Sequence, residues 1–283
     1  MSSGRDSASP VGPTSAPKGR FRHSPRAASV RPEAGTWKQR RKGVARRAGA
    51  ESLRIVILGC GRMGRSIDVL ARTRGFDVLA RLERRDVEGR REATRARIAG
   101  ADVALEFTTS ASAASNIRLC VEAGCPVVSG TTGWSDQLPA VAAWVKERRG
   151  ALLWAPNFSF GAVALQLLAR RAGELFAGAG DFDAHVVETH HTGKLDAPSG
   201  TAIALERSLE EGLGRSSPIT SIRTGHVPGT HEISIDGPRE RLVLRHEARD
   251  RGVFAEGALR AAAWLAGRTG VYTMRDFLAG EAG

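Results

Sequence analysis

The stretch from residue 188 to residue 202 concentrates side chains that perform acid–base and anion-binding chemistry. It holds two adjacent histidines, His190 and His191, and Lys194 lies four residues after the first of them. Imidazole gains and loses a proton near neutral pH, so the pattern favours general acid–base catalysis by His190 with Lys194. Adjacent side chains on a strand point to opposite faces, so a loop is the more plausible setting if both histidines serve one site.

The same stretch predicts a binding site for an anion. Residues 198–202, Pro-Ser-Gly-Thr-Ala, have the pattern of a helix N-terminus. There the backbone N–H groups of Gly200 and Thr201, with the Thr201 hydroxyl, would hold a carboxylate. Lys194 adds a cation for the same anion or for charge that develops during reaction. Together these features predict an anionic substrate and favour a dicarboxylate.

Metal binding is the alternative use of the two histidines. It would need a third ligand at a suitable spacing, and neither a cysteine nor an HExxH pattern lies near them. We therefore predict no metal at this site.

A glycine-rich loop follows the first apolar run of the chain. Gly59, Gly61 and Gly64 fit G-x-G-x-x-G, after a predicted strand at 54–58 and before a predicted helix at 65–74. In this setting the first glycine permits the turn, the second admits a pyrophosphate, and the third lets helix and strand pack closely. A plain strand–helix turn is the alternative. The loop, with Cys60, Arg62 and Met63, predicts a dinucleotide site.

Further cofactor candidates follow later predicted strands. Glu83 lies 19 residues after Gly64, where an acid that binds the ribose of NADH is expected. Arg84 or Arg85 beside it could pair with the 2′-phosphate of NADPH, so use of both cofactors is predicted. Loops at 107–110, 129–134 and 155–159 also follow strands, where ligands of open α/β sheets bind. The candidates in the last two are Gly130, Thr131, Thr132, Ala155, Pro156, Asn157 and Phe158.

The elements that position these residues alternate between strand and helix as far as about residue 157. Strands are predicted at 76–82, 101–107, 126–129 and 151–154, and helices at 112–123 and 138–149. Such alternation predicts an α/β fold with a Rossmann-type, doubly wound parallel sheet. Strands at 185–188, 221–223, 233–235 and 242–246 then follow one another, which predicts a C-terminal α+β domain with a mixed or antiparallel sheet. A helix at 257–266 and one or two final helical turns within 271–278 complete the prediction.

Composition restricts the partners. The 283 residues suffice for two domains, and the net charge is +12. Residues 1–50 contain twelve Lys/Arg and two acids, whereas the rest contains 30 bases and 28 acids. The basicity thus belongs to a tail, predicted to be disordered, and nucleic-acid binding is not expected of the folded part. The tail is compatible with an organellar transit peptide, a mis-assigned start codon or a polyanion-binding arm.

The cysteines and the apolar runs limit the environment. Cys60, Cys120 and Cys125 form neither a disulfide framework nor a metal-binding spacing, which favours a reducing compartment. No run of 18 apolar residues exists, so no membrane partner is expected.

The run E-x-H-H-x-x-K-x-D-A-P-S-G-T-A, at 188–202, resembles the signature of the 4-hydroxy-tetrahydrodipicolinate reductases, also called dihydrodipicolinate reductases. The resemblance spans about residues 53–278 and includes the motifs GCGRMG, SGTTGW and APNFSFGA. It implies NADH- or NADPH-dependent reduction of the hydroxylated substrate to tetrahydrodipicolinate, with loss of water, in the diaminopimelate route to lysine. It also implies a cytoplasmic homotetramer assembled through the C-terminal sheet.

The resemblance further implies residue roles, and the organisation of the chain predicts domain limits. His190 would be the acid–base residue, Lys194 a proton donor or charge stabiliser, and His191, Gly200 and Thr201 the ligands of a substrate carboxylate. A basic tail at 1–51 would precede a dinucleotide-binding domain at 52–157 and 256–283. Residues 158–255 would form the substrate-binding and oligomerisation domain.

Three departures from the family pattern stand out besides the tail. The glycine loop is one residue shorter than in some members, the segment 87–100 is short and Arg-rich, and Glu106 stands where Asp is common. Two other functions remain open: another hydride-transfer enzyme on this scaffold, or a redox-sensing or nucleic-acid-binding protein that uses the basic tail.

Overall fold

The computed structural model describes residues 52–87 and 90–281. The predicted disordered tail at 1–51 lies outside the described residues. The first half contains β1 Leu53–Leu58, α1 Arg62–Thr73, β2 Phe76–Leu82, α2 Arg84–Val87, α3 Arg91–Ala99, β3 Val103–Glu106, α4 Ser110–Glu122, β4 Val127–Ser129, α5 Leu138–Glu147 and β5 Ala151–Trp154. The second half contains α6 Phe160–Phe176, β6 Asp183–His190, α7 Gly200–Leu213, β7 Ile219–Arg223, β8 Thr230–Asp236, β9 Arg241–Glu247, α8 Gly252–Leu265, β10 Gly270–Tyr272 and α9 Met274–Glu281.

The first sheet is parallel and has six strands in the order β10-β5-β4-β3-β1-β2. Strands β3 and β4 are buried throughout because helices cover both faces, and all their residues except the terminal Glu106 and Ser129 are apolar. Apolar clusters lie on each face, one including residues of α1, α8 and α9, the other including residues of α4 and α5. The predicted doubly wound α/β fold is confirmed.

The strand order reverses between β1 and β3: β2 is added on one side of β1, and β3, β4 and β5 are added on the other side. Loops that leave neighbouring strand ends must diverge there and open a crevice, the usual ligand site of such sheets. Two hydrogen bonds fix the crevice: Gly59 N donates to Leu82 O at 2.8 Å, and Gly130 N donates to Glu106 O at 3.0 Å.

The second sheet has the order β7-β6-β8-β9 and is mixed, as the sequence predicted. β6 and β7 run parallel, whereas β8 is antiparallel to both β6 and β9. Helices α6 and α7 contact each other along their lengths and share a core with the sheet that includes Val186, Leu205 and Ile233. Both helices begin with a serine cap: Ser159 accepts from Ala162 N, and Ser199 accepts from Ala202 N.

After the second sheet the chain returns to the first. β10 pairs with β5, and the buried Phe277 of α9 joins the first core. The final segment contains the predicted helical turns as α9, preceded by the strand β10, which was not predicted. β10 has only three residues, too few to show a strand pattern in the sequence.

Two further differences from the sequence prediction concern helices. The segment 91–99 forms a helix that buries only Thr94 and Ile98, so its periodicity was too weak to recognise. The 17-residue α6 was also not anticipated. Within the described part of the chain, no helix is both long and apolar enough to cross a bilayer.

Candidate active site

Strand β6 ends at His190, and His191 is the first residue of the following loop. The expectation that a loop carries both histidines was therefore wrong for His190. His190 is buried, whereas His191 is partly exposed. Alternation along β6 places Glu188 and His190 on one face of the sheet. His190 therefore shares a buried face with Glu188, whereas His191 does not.

Glu188 is fully buried and organises the surroundings of His190. One carboxylate oxygen, Oε2, is in direct contact with Nδ1 of His190. The other, Oε1, accepts from Nη2 of Arg223 at 2.7 Å and from the backbone N of Ser199 at 3.3 Å. Burial raises the pKa of Glu188, but hydrogen bonds from Arg223 and Ser221, with the charge of His190, outweigh it and bring the pKa to about 2. Glu188 is therefore an anion at neutral pH.

His231 completes this face from the neighbouring strand. β8 places it opposite Glu188, and its ring meets that of His190 edge to face at 5.1 Å between centroids. Its Nε2 lies 3.3 Å from Oγ of Ser199. Burial lowers the pKa of both histidines, that of His231 to about 4. Both rings are therefore neutral at pH 7.

Glu188, His190 and His231 have the residue types of a metal site, with candidate ligand atoms within 4.8 Å of one another. The sequence showed no third ligand because His231 lies 41 positions after His190 and reaches it only through strand pairing. However, Oε1 of Glu188 already accepts from Arg223, and the cations of Arg223 and Lys194 act on His190. A further positive ion is disfavoured there.

Lys194 lies in the loop between β6 and α7. Its Nζ contacts both carboxylate oxygens of Asp196, at 2.7 and 2.8 Å, and its side chain is 22% exposed. The hydrogen bond from Lys194 lowers the pKa of Asp196. The ammonium group is thus held at the surface of the loop by an exposed carboxylate, from which it can turn to an incoming anion.

Gly200 and Thr201 are the first residues of α7, as predicted. A Cβ on Gly200 would meet no atom within 4 Å, while the backbone N–H of Gly200 hydrogen-bonds to the Asp196 carboxylate and helps to lower its pKa. Thr201 contacts the crevice of the first sheet, because its Oγ1 accepts from Nδ2 of Asn157 at 3.2 Å. This bond joins a predicted cofactor residue to a predicted substrate residue.

His191 lines a cleft on the loop that follows β6. Its Nε2 lies 3.1 Å from Nη2 of Arg251. The cleft is lined by His191, Thr192, Gly193, Gly225, His226, Pro228, Arg249, Asp250 and Arg251. Arginines of this cleft were not among the predicted site residues, since they lie about 60 positions away in the sequence.

The glycine loop has the geometry that a dinucleotide requires. Gly59 has a φ of 98°, and a Cβ there would lie 2.1 Å from Phe107 O. A Cβ on Gly64 would lie 1.9 Å from Gly59 O, whereas one on Gly61 would meet nothing within 4 Å. Gly59 and Gly64 thus allow close backbone contacts that a side chain would prevent. Gly61 faces open space next to the N-terminus of α1. Cys60, Arg62 and Met63 lie in this loop and the first turn.

Glu83 follows β2 directly and is half exposed, with Oε2 3.4 Å from Nη2 of Arg85. Its backbone N donates to Oδ2 of Asp86 at 2.8 Å. Arg84 opens the short helix α2. An acid and two arginines therefore lie together beyond the end of β2.

Glu106 is a buried carboxylate that the sequence analysis did not assign to the site. Its oxygens accept from Oγ of Ser129 at 2.7 Å and from Oγ1 of Thr131 at 3.1 Å, and contact the Thr108 hydroxyl. Thr131 also accepts from the backbone N of Thr108 at 2.8 Å. Glu106 therefore joins the loops that follow β3 and β4. Its position at a strand end was a signal that could have identified it.

The remaining predicted cofactor residues divide between crevice and core. A Cβ on Gly130 would lie 2.0 Å from the Phe107 ring, so that loop packs tightly. Thr132 and Pro156 are exposed, while Ala155 and Phe158 are buried in the core. The Phe158 ring lies 5.5 Å from that of Phe107, and so shapes the crevice from beneath.

A parallel sheet with a dinucleotide loop, joined to a second sheet that carries a buried histidine beside the N-terminus of α7, defines a nicotinamide-dependent oxidoreductase. Two family models match the chain in succession, "Dihydrodipicolinate reductase, N-terminus" at 53–158 and "Dihydrodipicolinate reductase, C-terminus" at 161–278. The chain belongs to the dihydrodipicolinate reductase family, and the resemblance recognised in the sequence is confirmed.

Curated relatives and a solved structure agree with this assignment. The chain is 34% identical to a 4-hydroxy-tetrahydrodipicolinate reductase of Christiangramia forsetii, over 80% of this chain and 98% of that protein. It is 43% identical to one of Stenotrophomonas maltophilia strain K279a, over 62% of this chain and 72% of that protein. A dipicolinate-bound dihydrodipicolinate reductase of Paenisporosarcina sp. TG-14 shares the fold, with a TM-score of 0.70 and 23% identity over 78% of this chain and 97% of that one.

Proposed function

We propose that this chain reduces 4-hydroxy-tetrahydrodipicolinate to tetrahydrodipicolinate with NADH or NADPH, with loss of water, in the diaminopimelate route to lysine. One observation carries the proposal. The hydrogen bond between Asn157 and Thr201 brings the start of α7 to the rim of the dinucleotide crevice. A carboxylate held at that helix start would place the rest of a small substrate between the crevice and His190.

The proposed residue roles follow from this arrangement. His191, Gly200 and Thr201 bind substrate carboxylate, because the N-terminal N–H groups of a 14-residue helix attract an anion. His190 is the acid–base residue, since it is neutral at pH 7 and has Glu188 to offset the charge of a gained proton. Lys194 donates a proton or stabilises developing charge after it exchanges Asp196 for the substrate.

The proposed cofactor residues fit a pyridine nucleotide. Gly61 leaves space for the pyrophosphate, with Gly59, Cys60, Arg62, Met63 and Gly64 around it. Glu83 and Arg84 face the ribose or its 2′-phosphate, and Gly130, Thr131, Thr132, Ala155, Pro156, Asn157 and Phe158 enclose the nicotinamide end. When bound, the cofactor supplies the hydride. The protein contributes orientation, exclusion of water and movement of the proton, and no metal takes part in the proposal.

We also propose the division into domains given by the sequence. Residues 52–157 and 256–283 would form the dinucleotide-binding domain, which the pairing of β10 with β5 supports. Residues 158–255 would bind substrate and oligomerise. The sheet face away from α6 and α7 carries Ile222 and Val243, 42% and 40% exposed, and would assemble the homotetramer. Cytoplasmic location is supported by the three free cysteines.

The test is oxidation of NADH and NADPH at 340 nm, with an upstream synthase that generates the labile substrate from pyruvate and aspartate semialdehyde. Oxidation that depends on this substrate is expected with both cofactors. Binding of NADH without such oxidation would reject the substrate assignment and leave the dinucleotide site standing.

The basic tail provides a second test, against the nucleic-acid-binding or sensing alternative. Deletion of residues 1–50 removes twelve bases and two acids. We expect full reductase activity and loss of binding to a polyanion such as heparin. A loss of activity in the deletion variant would give the tail a part in the reaction.

A further inference from the structure

We propose, on the basis of the proposed function, that Glu188 is the positioning residue of the site. It holds His190 with the proton on Nδ1, leaves Nε2 for the substrate, and ties the ring to the start of α7 through the same carboxylate. No role had been given to Glu188 in the sequence, although its spacing of two from His190 places both on one face of a strand.

The tautomer follows from the contact between the two residues. Glu188 is buried and ionised, so both oxygens only accept hydrogen bonds. Nδ1 of His190 lies against Oε2 without the geometry of a regular hydrogen bond, but a lone pair on Nδ1 would be repelled by the anion, so Nδ1 carries the hydrogen. A neutral imidazole has one N–H, so Nε2 retains its lone pair.

The space around Nε2 is kept by a glycine. A Cβ on Gly229 would lie 2.9 Å from Nε2 of His190, and Gly229 has a φ of 152°. Among the described residues, none forms a hydrogen bond with this nitrogen. Nε2 is thus the ring nitrogen available for a proton transfer with substrate.

Charge explains why a carboxylate is needed. The charged groups that act on His190 are Glu188, Lys194 and Arg223, and the neighbouring ring of His231 is neutral at pH 7. Both cations oppose a positive charge on the ring, and Glu188 alone favours it. Without Glu188, protonated His190 would face two cations in a buried setting.

The second oxygen connects the histidine to the anion site. Oε1 accepts from Ser199 N, and Ser199 caps α7 through its hydroxyl. One carboxylate therefore sets both the ring of His190 and the first residues of the helix that binds substrate. The distance between proton donor and bound carboxylate is fixed by this shared partner.

The experiment compares Glu188→Gln with Glu232→Gln. Glu232 is on the adjacent strand β8, opposite Val187 and on the other sheet face, where it pairs with Arg245 at 3.3 Å. The first readout is the ¹⁵N spectrum of histidine-labelled protein, which distinguishes the two tautomers without any substrate. We expect wild type and Glu232→Gln to show His190 with Nδ1–H, and Glu188→Gln to show a mixture with a lower pKa for the ring.

The second readout is kinetic. Glu188→Gln should lower kcat by about 10²-fold, the cost of a misplaced reacting group, and leave the KM for NADH unchanged. Glu188→Asp, which keeps the charge, should recover part of that loss and serves if the glutamine variant fails to fold. An Nε2–H tautomer in the wild type, or a glutamine variant that matches Glu232→Gln in both readouts, would overturn the proposal. Absence of turnover with the expected tautomers would instead reject only the function.

Discussion

The crevice of the first sheet and the buried face of the second sheet form their sites by opposite means. The crevice relies on backbone and space: glycines at 59 and 64 admit close contacts, and Gly61 leaves a vacancy. The face of β6 relies on ionisable side chains, with Glu188, His190 and His231 all buried. Burial shifts the pKa of the groups on the second sheet, which is the property that proton transfer requires. Shape therefore serves cofactor binding, and charge serves the chemistry.

The largest effect is expected when the ionisable groups of the second sheet are removed and the crevice of the first sheet is left unchanged. His190→Ala and Lys194→Ala should each lower kcat by about 10²- to 10⁴-fold, the usual contribution of general acid–base groups. The Kd for NADH, measured by its fluorescence, should not change, because neither residue lies in the crevice. His185→Ala is the matched control, since His185 lies on the same strand but bonds Thr220 on the other face. Normal turnover by both variants would refute the assignment of the site.

Acid should weaken the second sheet before the first. A buried histidine with a lowered pKa stays neutral in the folded state while the unfolded chain takes up a proton, so stability falls as pH drops from 6.5. For His231 the loss ends near its folded pKa of about 4 and is on the order of 3 kcal/mol. Glu188 adds a further loss as pH falls from about 4.5 towards 2, because its folded pKa is about 2.

Urea titrations at pH 7.5, 6 and 5 measure this effect, and hydrogen exchange locates it. His231→Gln should flatten the dependence on pH, and β6 and β8 should lose protection before β1 and β3. Equal loss of hydrogen-exchange protection in both sheets would contradict a greater acid sensitivity of the second sheet.

The role of space in the crevice is tested by two alanines. Gly64→Ala places a Cβ 1.9 Å from Gly59 O and should lower both Tm and NADH affinity. Gly61→Ala meets no atom of the protein and should keep the wild-type Tm, yet weaken NADH about tenfold, or about 1.4 kcal/mol. Calorimetry with and without NADH separates the two outcomes. If Gly61→Ala bound NADH with wild-type affinity, the proposed position of the pyrophosphate beside Gly61 would be wrong.

The smallest effect concerns the exposed arginines at the ribose end of the crevice. Arg84→Ala and Arg85→Ala should each raise the KM for NADPH about fivefold, since an exposed charge pair contributes about 1 kcal/mol, with little change for NADH. Initial rates with both cofactors measure this. An equal change for NADH would contradict a role at the 2′-phosphate.

The sequence predicted the two regions to different depths. The glycine loop and the run before Thr201 are local patterns, so the turn after β1 and the helix start at Gly200 could be inferred directly, whereas the extension of β6 to His190 could not. The partners of His190 could not, because Arg223 and His231 reach it only through pairing of β6 with β7 and β8. The Arg-rich helix at 91–99 was not recognised for a different reason: it buries too little apolar surface to give its sequence a helical spacing of apolar residues.

The pairing of β10 with β5 has a consequence for how the chain is made. β5 is complete at residue 154, but its outer neighbour begins at residue 270, so more than a hundred residues are synthesised before that side of the sheet is covered. During this interval the N–H and C=O groups of β5 form an open strand edge, a known template for aggregation. Truncation before residue 270 should therefore yield insoluble protein even though every proposed catalytic residue is present.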